Sequence, residues 1–169
     1  MADITDATGL TKGSIYGNFE NKDEVALAAY RHNISAIRKR LFPVVNETKP
    51  AIERLLHITS FYRNNWRYVS ENGGCPILNA SIEADDNLPF LKRYVQASIR
   101  DWAAMLSDIM ETGKINHEVR RDIQSLEYAH LIITLIEGGV MMAKINNEPR
   151  LLNGAMDRID MIIRSEIAK

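Results

Sequence analysis

Residues 2–19 read ADITDATGLTKGSIYGNF, and their spacing decides the fold. The stretch predicts a short helix, a tight turn and a second short helix. Ile4 and Ala7 face inward from the first helix. Gly9 stops it, because a helix commonly ends on a residue with positive φ and glycine meets no steric penalty there. Leu10 plugs the gap between the helices. Thr11 caps the second one by accepting hydrogen bonds from its free N–H groups. Ile15 and Phe19 lie four apart, share a face and bury together. Lys12, Gly13, Ser14, Tyr16, Gly17 and Asn18 remain at or near the surface.

This is the logic of a helix-turn-helix, whose second helix lies across the major groove of DNA. The exposed set suits that task. Lys12 can meet a phosphate, Ser14 and Tyr16 can donate hydrogen bonds, Gly13 and Gly17 let backbones come close, and Asn18 can pair with a base edge or a phosphate. On spacing alone, an ordinary helical hairpin with a solvated face accounts for the pattern equally well.

The longer run Gly9-Leu10-Thr11-Lys12-Gly13-Ser14-Ile15-Tyr16-Gly17-Asn18-Phe19, then Asn21-Lys22-Asp23-Glu24, resembles the DNA-binding signature of TetR-type transcriptional regulators. In that family it typically reads Gly-Val-Ser-Lys-Gly-Thr-Leu-Tyr-x-His-Phe, then a short turn and Lys-Glu. Asn18 stands where the family often has His and keeps a polar, hydrogen-bonding group. The resemblance implies phosphate contacts from Thr11, Lys12, Tyr16 and Lys22, and base reading by Gly13, Ser14, Gly17 and Asn18. It also implies a further helix and a basic leader ahead of the motif. Without that helix, Ile4, Ile15 and Phe19 would lose a packing partner.

Composition sets the outer bounds. The chain has 169 residues, 46% of them hydrophobic, which suits one or two compact domains. Net charge is −1, with +1 on residues 1–42 (six Lys/Arg, five Asp/Glu) and −2 on the rest, a weak asymmetry for a nucleic-acid binder. A single cysteine excludes an internal disulfide framework. No signal-peptide pattern heads the sequence, and no apolar run approaches the ~20 residues of a membrane span, so a cytoplasmic protein without a membrane partner is expected. A Gly-rich phosphate loop, a His-Glu-x-x-His, a paired-cysteine spacing and a nucleophile elbow are all missing. No catalytic residue, metal or cofactor is therefore assigned, and an enzyme is not expected. His32, His57, His117 and His130 fall on separate elements. The acid cluster Glu83, Asp85 and Asp86 is explained more simply by a solvated helix end than by general acid–base work.

Further along, the pattern is helical throughout. Lys22 to about Leu41 reads as one long helix, capped by Asn21, with Asp23 and Glu24 at its positive end and Arg38, Lys39 and Arg40 at its negative end. Pro43 and Pro50 bracket a break. A second long helix is expected from Lys49 to Glu71, ended by Asn72-Gly73-Gly74. A short one runs from Cys75 to Asp86, with Pro76 in its first turn. Leu88-Pro89 breaks the chain again. Phe90 to Thr112 forms another long helix, stopped by Gly113. A further helix, from Asp122 or Ser125 to about Asn146, is apolar on nearly all sides after Ala129 and so must be covered all round. Gly138 and Gly139 within it cost about 1 kcal/mol each against alanine, and close approach of another helix is a reason to keep them. The last helix, Leu151 to Ile167, is apolar on one side. Segments 122–146 and 151–167 either pack against their copies in a homodimer, as the resemblance also implies, or the first of them is one buried helix inside a monomer.

The middle helices are rich in aromatic and sulfur-bearing residues. At helical spacing such residues are commonly core. The resemblance implies an apolar ligand cavity among them, and such cavities are aromatic-lined with a few polar groups. The candidates are Phe61, Tyr62, Trp66, Asn79, Glu83, Tyr94, Ser98, Trp102, Met105 and Tyr128. Cys75 would need an exposed site and a lowered thiol pKa for a redox role; otherwise it is a small buried residue at a helix start. The expectation is an all-α protein, with a helix-turn-helix DNA-binding head over 1–30 joined to a helical-bundle ligand-binding and dimerisation domain over 31–169. By the resemblance it is a repressor that binds double-stranded operator DNA as a homodimer and is released by a small apolar or aromatic ligand. The alternatives are a small-molecule-binding helical dimer without DNA binding and, on thinner grounds, an enzyme using Glu83.

Overall fold

The helical signals become eight α-helices among the described residues of a computed structural model: α1 (Lys12–Tyr16), α2 (Lys22–Leu41), α3 (Ala51–Asn64), α4 (Trp66–Glu71), α5 (Pro76–Asp86), α6 (Lys92–Ile115), α7 (Ser125–Asn146) and α8 (Pro149–Ile162). The structure describes residues 5–6, 9, 11–41, 43, 45 and 48–169, with the side chains of Tyr16 and Asp86 excepted. Ile4, Ala7 and Leu10 of the sequence reading lie outside them. Among the described residues the fold is all-α, and its β pairing is one isolated bridge, Val119 to Ala168.

Local chemistry accounts for most helix ends. Gly9 has φ of 68° and its N–H closes on the Thr5 carbonyl at 2.9 Å. Asn21 Oδ1 accepts from the Glu24 N–H at 2.9 Å, while the Glu24 carboxylate takes the Glu20 N–H at 2.6 Å; this reciprocal pairing satisfies free donors at the start of α2. Gly73 and Gly74, both with φ of 91°, turn the chain after α4. Pro76 opens α5, where its missing N–H is no loss.

Four sequence expectations are corrected. The single helix expected over Lys49–Glu71 is two, broken at Asn65 (φ −110°, ψ 15°). The Asn65 side chain donates to the Phe61 carbonyl at 2.9 Å and so competes with the helix ladder. Gly113 does not stop α6, which continues to Ile115. A Cβ there would lie 2.5 Å from Val119 Cγ2 and 2.6 Å from Ala51 Cβ, so this glycine serves close packing, not a turn. The last helix begins at Pro149 and passes into a π turn over Ile163–Ile167. Length and apolar composition would also let α7 cross a membrane, contrary to the sequence reading. It is a packed element here, with Ala129, Ile132, Ile136, Val140 and Ala143 buried.

The core sits where α7 packs against α6 and α8, and where α3 closes over α6 and α8. Leu55, Ile58, Leu106, Met110, Ile136, Leu152, Met156 and Ile159 are completely enclosed. Gly139 lets α8 approach, since a Cβ would stand 2.8 Å from Ala155 Cβ. A polar clasp crosses from α3 to α8: Thr59 donates to Asp160 at 2.6 Å, and Arg63 donates to Asp157 and Asp160, each at 2.8 Å. A second cluster seats α2 on α5 and α6 through Tyr30, Ala80, Ala84, Leu91 and Val95.

Candidate functional site

The head presents a small polar surface held from behind. Thr11 is extended (φ −76°, ψ 155°) and its Oγ1 accepts from the Ser14 N–H at 3.1 Å. Ile15 is buried and Phe19 half-buried, which orients α1. Thr11, Lys12, Gly13, Ser14, Gly17, Asn18 and Lys22 all stand exposed; the side chain of Tyr16 lies outside the described residues. A Cβ on Gly13 would meet only Thr11 Oγ1, at 3.9 Å, so packing does not require glycine there and the backbone is open to approach. Asn18 spends one amide hydrogen on the Ser14 carbonyl at 2.9 Å and keeps its oxygen and second hydrogen.

Further down α2 lies a cavity of about 180 Å³. Ile34, Ile37, Arg38 and Leu41 of α2 form one wall, and Tyr62 of α3 with Cys75, Pro76 and Ile77 form another. Ser98, Asp101, Trp102 and Met105 of α6 complete it. Of the sequence candidates, Tyr62, Ser98, Trp102 and Met105 meet there. The other six do not. Phe61 is buried behind, edge-on to Tyr62 at 5.3 Å. Tyr94 lines a neighbouring recess under the Arg31 guanidinium, 5.2 Å from its ring. Trp66 packs against the main core. Asn79 is exposed and donates to the Gly73 carbonyl at 2.9 Å. Glu83 is exposed, 3.4 Å from the Asn87 amide. Tyr128 donates to Glu166 at 3.1 Å. The sequence reading missed the α2 wall and Cys75 as lining residues.

The cavity is apolar, with a few polar groups at defined places. Tyr30 donates to Ser98 Oγ at 2.7 Å in a buried contact. Arg38 Nη2 pairs with Asp101 Oδ2 at 3.1 Å, joining α2 to α6. Trp102 Nε1 is enclosed without an acceptor among the described residues. Burial pushes the Cys75 thiol well above its usual range, and the neighbouring Glu137 adds to this; Cys75 is thus a buried, neutral thiol at the start of α5. Glu137 stands behind it, both carboxylate oxygens enclosed with no hydrogen bond of good geometry among the described residues. Burial pushes that carboxyl up to about 7, partly offset by Cys75. Lys144 of α7 reaches the Gly73 carbonyl and holds the adjoining turn. Among the described residues no cluster of His, Cys, Asp and Glu could hold a metal ion.

Known proteins share this fold. The family described as "Tetracyclin repressor-like, C-terminal domain" matches residues 51–159. The chain is similar to the HTH-type transcriptional repressor NemR of Escherichia coli, 22% identical over 166 residues, covering 96% of this chain and 82% of NemR. Its structure is similar to that of a TetR transcriptional regulator from Chloroflexus aurantiacus (33% identity, TM-score 0.89, 99% of this chain and 84% of that one). It is likewise similar to a TetR-family regulator from Cytophaga hutchinsonii (33% identity, TM-score 0.92, 100% and 84%). These relatives are regulators, not enzymes. With a family match over most of the helical body and one-third identity across nearly the whole fold, the chain belongs to the TetR family of transcriptional regulators.

Proposed function

We propose that the chain is a ligand-responsive repressor, holding operator DNA as a homodimer and released by a small apolar or aromatic ligand. One observation carries the reading: α2 serves both ends. Its first residue, Lys22, is exposed and follows the end of α1 by a turn of five residues, and its later residues Ile34, Ile37, Arg38 and Leu41 form a cavity wall. A ligand that prefers one tilt of α2 thereby shifts the spacing of two heads on DNA, a population shift of a two-state element. The division into a head over 1–30 and a body over 31–169 then falls inside this shared helix.

Thr11, Lys12, Tyr16 and Lys22 would meet phosphates, and Gly13, Ser14, Gly17 and Asn18 would read bases. Dimerisation would use 122–146 and 151–167. Supporting it, Leu131, Met141, Met142, Ile145 and Met161 are large, apolar and exposed on these segments, and a Cβ on Gly138 or Gly154 would meet nothing within 4 Å. Such an apolar face on a single chain is typical of an interaction surface. The site of action would be the cytoplasm.

Fluorescence anisotropy tests this with a labelled duplex from upstream of the protein's own gene, at two salt concentrations. Binding that weakens steeply with salt and survives excess random duplex is expected. Binding no tighter than to random duplex, in a chain that still dimerises, would favour a small-molecule-binding dimer without DNA binding.

A further inference from the structure

Beside the cavity lies an open recess of about 580 Å³ between α2 and α6. The two spaces share Ile34, Arg38, Ser98 and Asp101 and so abut across these residues. Their chemistry differs. The inner space is walled by Tyr62, Ile77, Trp102 and Met105; among the described residues, the outer one carries Arg31, Arg38 and Lys39 against one acid, Asp101. Arg38, about half exposed, and Asp101, largely exposed, form their ion pair at the boundary.

Resting on the reading of the cavity as the effector site, we infer that its ligand is an amphipathic organic anion, with an apolar body in the inner space and a carboxylate-like group at Arg38, where it displaces Asp101. The size fits, since a dry apolar cavity of about 150 Å³ holds one benzene ring. The charge fits too. Of the described residues lining the outer recess, three are cationic and one is acidic, which opposes a ligand cation and suits an anion. Glu137 does not oppose this, because it is not among the lining residues and burial favours its neutral form. Displacing Asp101 has a consequence for the fold: it removes a tie between α2 and α6, on the helix that carries the head.

A matched series tests the charge alone. The full chain is titrated by calorimetry with 3-phenylpropionate, 3-phenylpropanol and 3-phenylpropylamine, which share a ring and a spacer. The anion is expected to bind tighter than the alcohol by about fivefold or more, a charge-assisted contact discounted for exposure, with the amine weakest. Arg38→Gln should erase the anion's advantage and leave the alcohol unchanged. Asp101→Asn should strengthen the anion by removing its competitor, and decides the matter if Arg38→Gln does not fold. Equal affinities across the series, a preferred amine, or an anion advantage that survives Arg38→Gln would each overturn the inference while leaving the cavity reading intact. Failure of all three compounds to bind would overturn both.

Discussion

The head and the bundle of α6, α7 and α8 are held by different physics. From Thr11 to Glu24 the chain is organised by contacts three or four residues apart: the Thr11 cap, the Asn18 amide on Ser14, and the Asn21–Glu24 pairing. Ile15 is the only buried residue described in that stretch. In the bundle, Leu106, Met110, Ile136, Met156 and Ile159 are completely enclosed by partners distant in sequence. On the proposed function, a surface that fits DNA needs exposed donors, while a body that holds a ligand needs an enclosed wall. The head is thus local and lightly anchored, and the bundle is cooperative.

Core truncation should separate the two regions most sharply. Leu106→Ala should cost about 3 kcal/mol in urea unfolding followed by far-UV circular dichroism. A cost under about 1 kcal/mol would mean that the bundle repacks freely and is not the rigid partner in this contrast. Glu137 comes next, and it carries a pH sign. Its carboxyl is raised from 4.5 to about 7 in the fold. Between those values the native state holds a proton that the unfolded chain has lost, so stability falls as pH rises and stays low above about 7. Glu137→Gln should remove that fall, gaining up to about 3 kcal/mol over the parent at pH 8 and almost nothing at pH 4.5. An equal gain at both pH values would point to packing instead of charge.

The exposed apolar face offers a smaller, different effect. The pair Met142→Glu and Ile145→Glu should weaken a dimer by about 2 kcal/mol while each protomer keeps its fold. Analytical ultracentrifugation would read this directly; an unchanged dimer would move the interface elsewhere. The smallest effect belongs to the head. Thr11→Ala removes one cap and should cost about 1 kcal/mol locally. Hydrogen exchange in residues 12–19 should rise while the melting of the bundle stays put. If the whole protein melted earlier, head and bundle would be one cooperative unit and the comparison would fail.

The same contrast explains what could be read in advance. Gly9, Thr11 and Asn21 act on neighbours within four residues, so their turn and cap roles are visible in a linear pattern. Gly113 was misread because a helix stop and a close helix contact call for the same residue. Val119 and Ala51, which crowd it, approach only in three dimensions. Phe61 and Tyr62 are adjacent and equally aromatic, yet Tyr62 alone lines the cavity. Asn65 broke a helix whose apolar period runs through it without interruption.

By itself the sequence determined the all-α class, the capped turns of the head and the apolar faces, because caps, glycine turns and a 3.6-residue period are local properties of the chain. Tertiary structure alone decided that α2 walls the cavity, that Tyr30 meets Ser98 and that Arg38 meets Asp101. Periodicity says which face of a helix is buried, but not what covers it. That depends on how helices far apart in the chain cross, where each contact is chosen by packing against all the others at once.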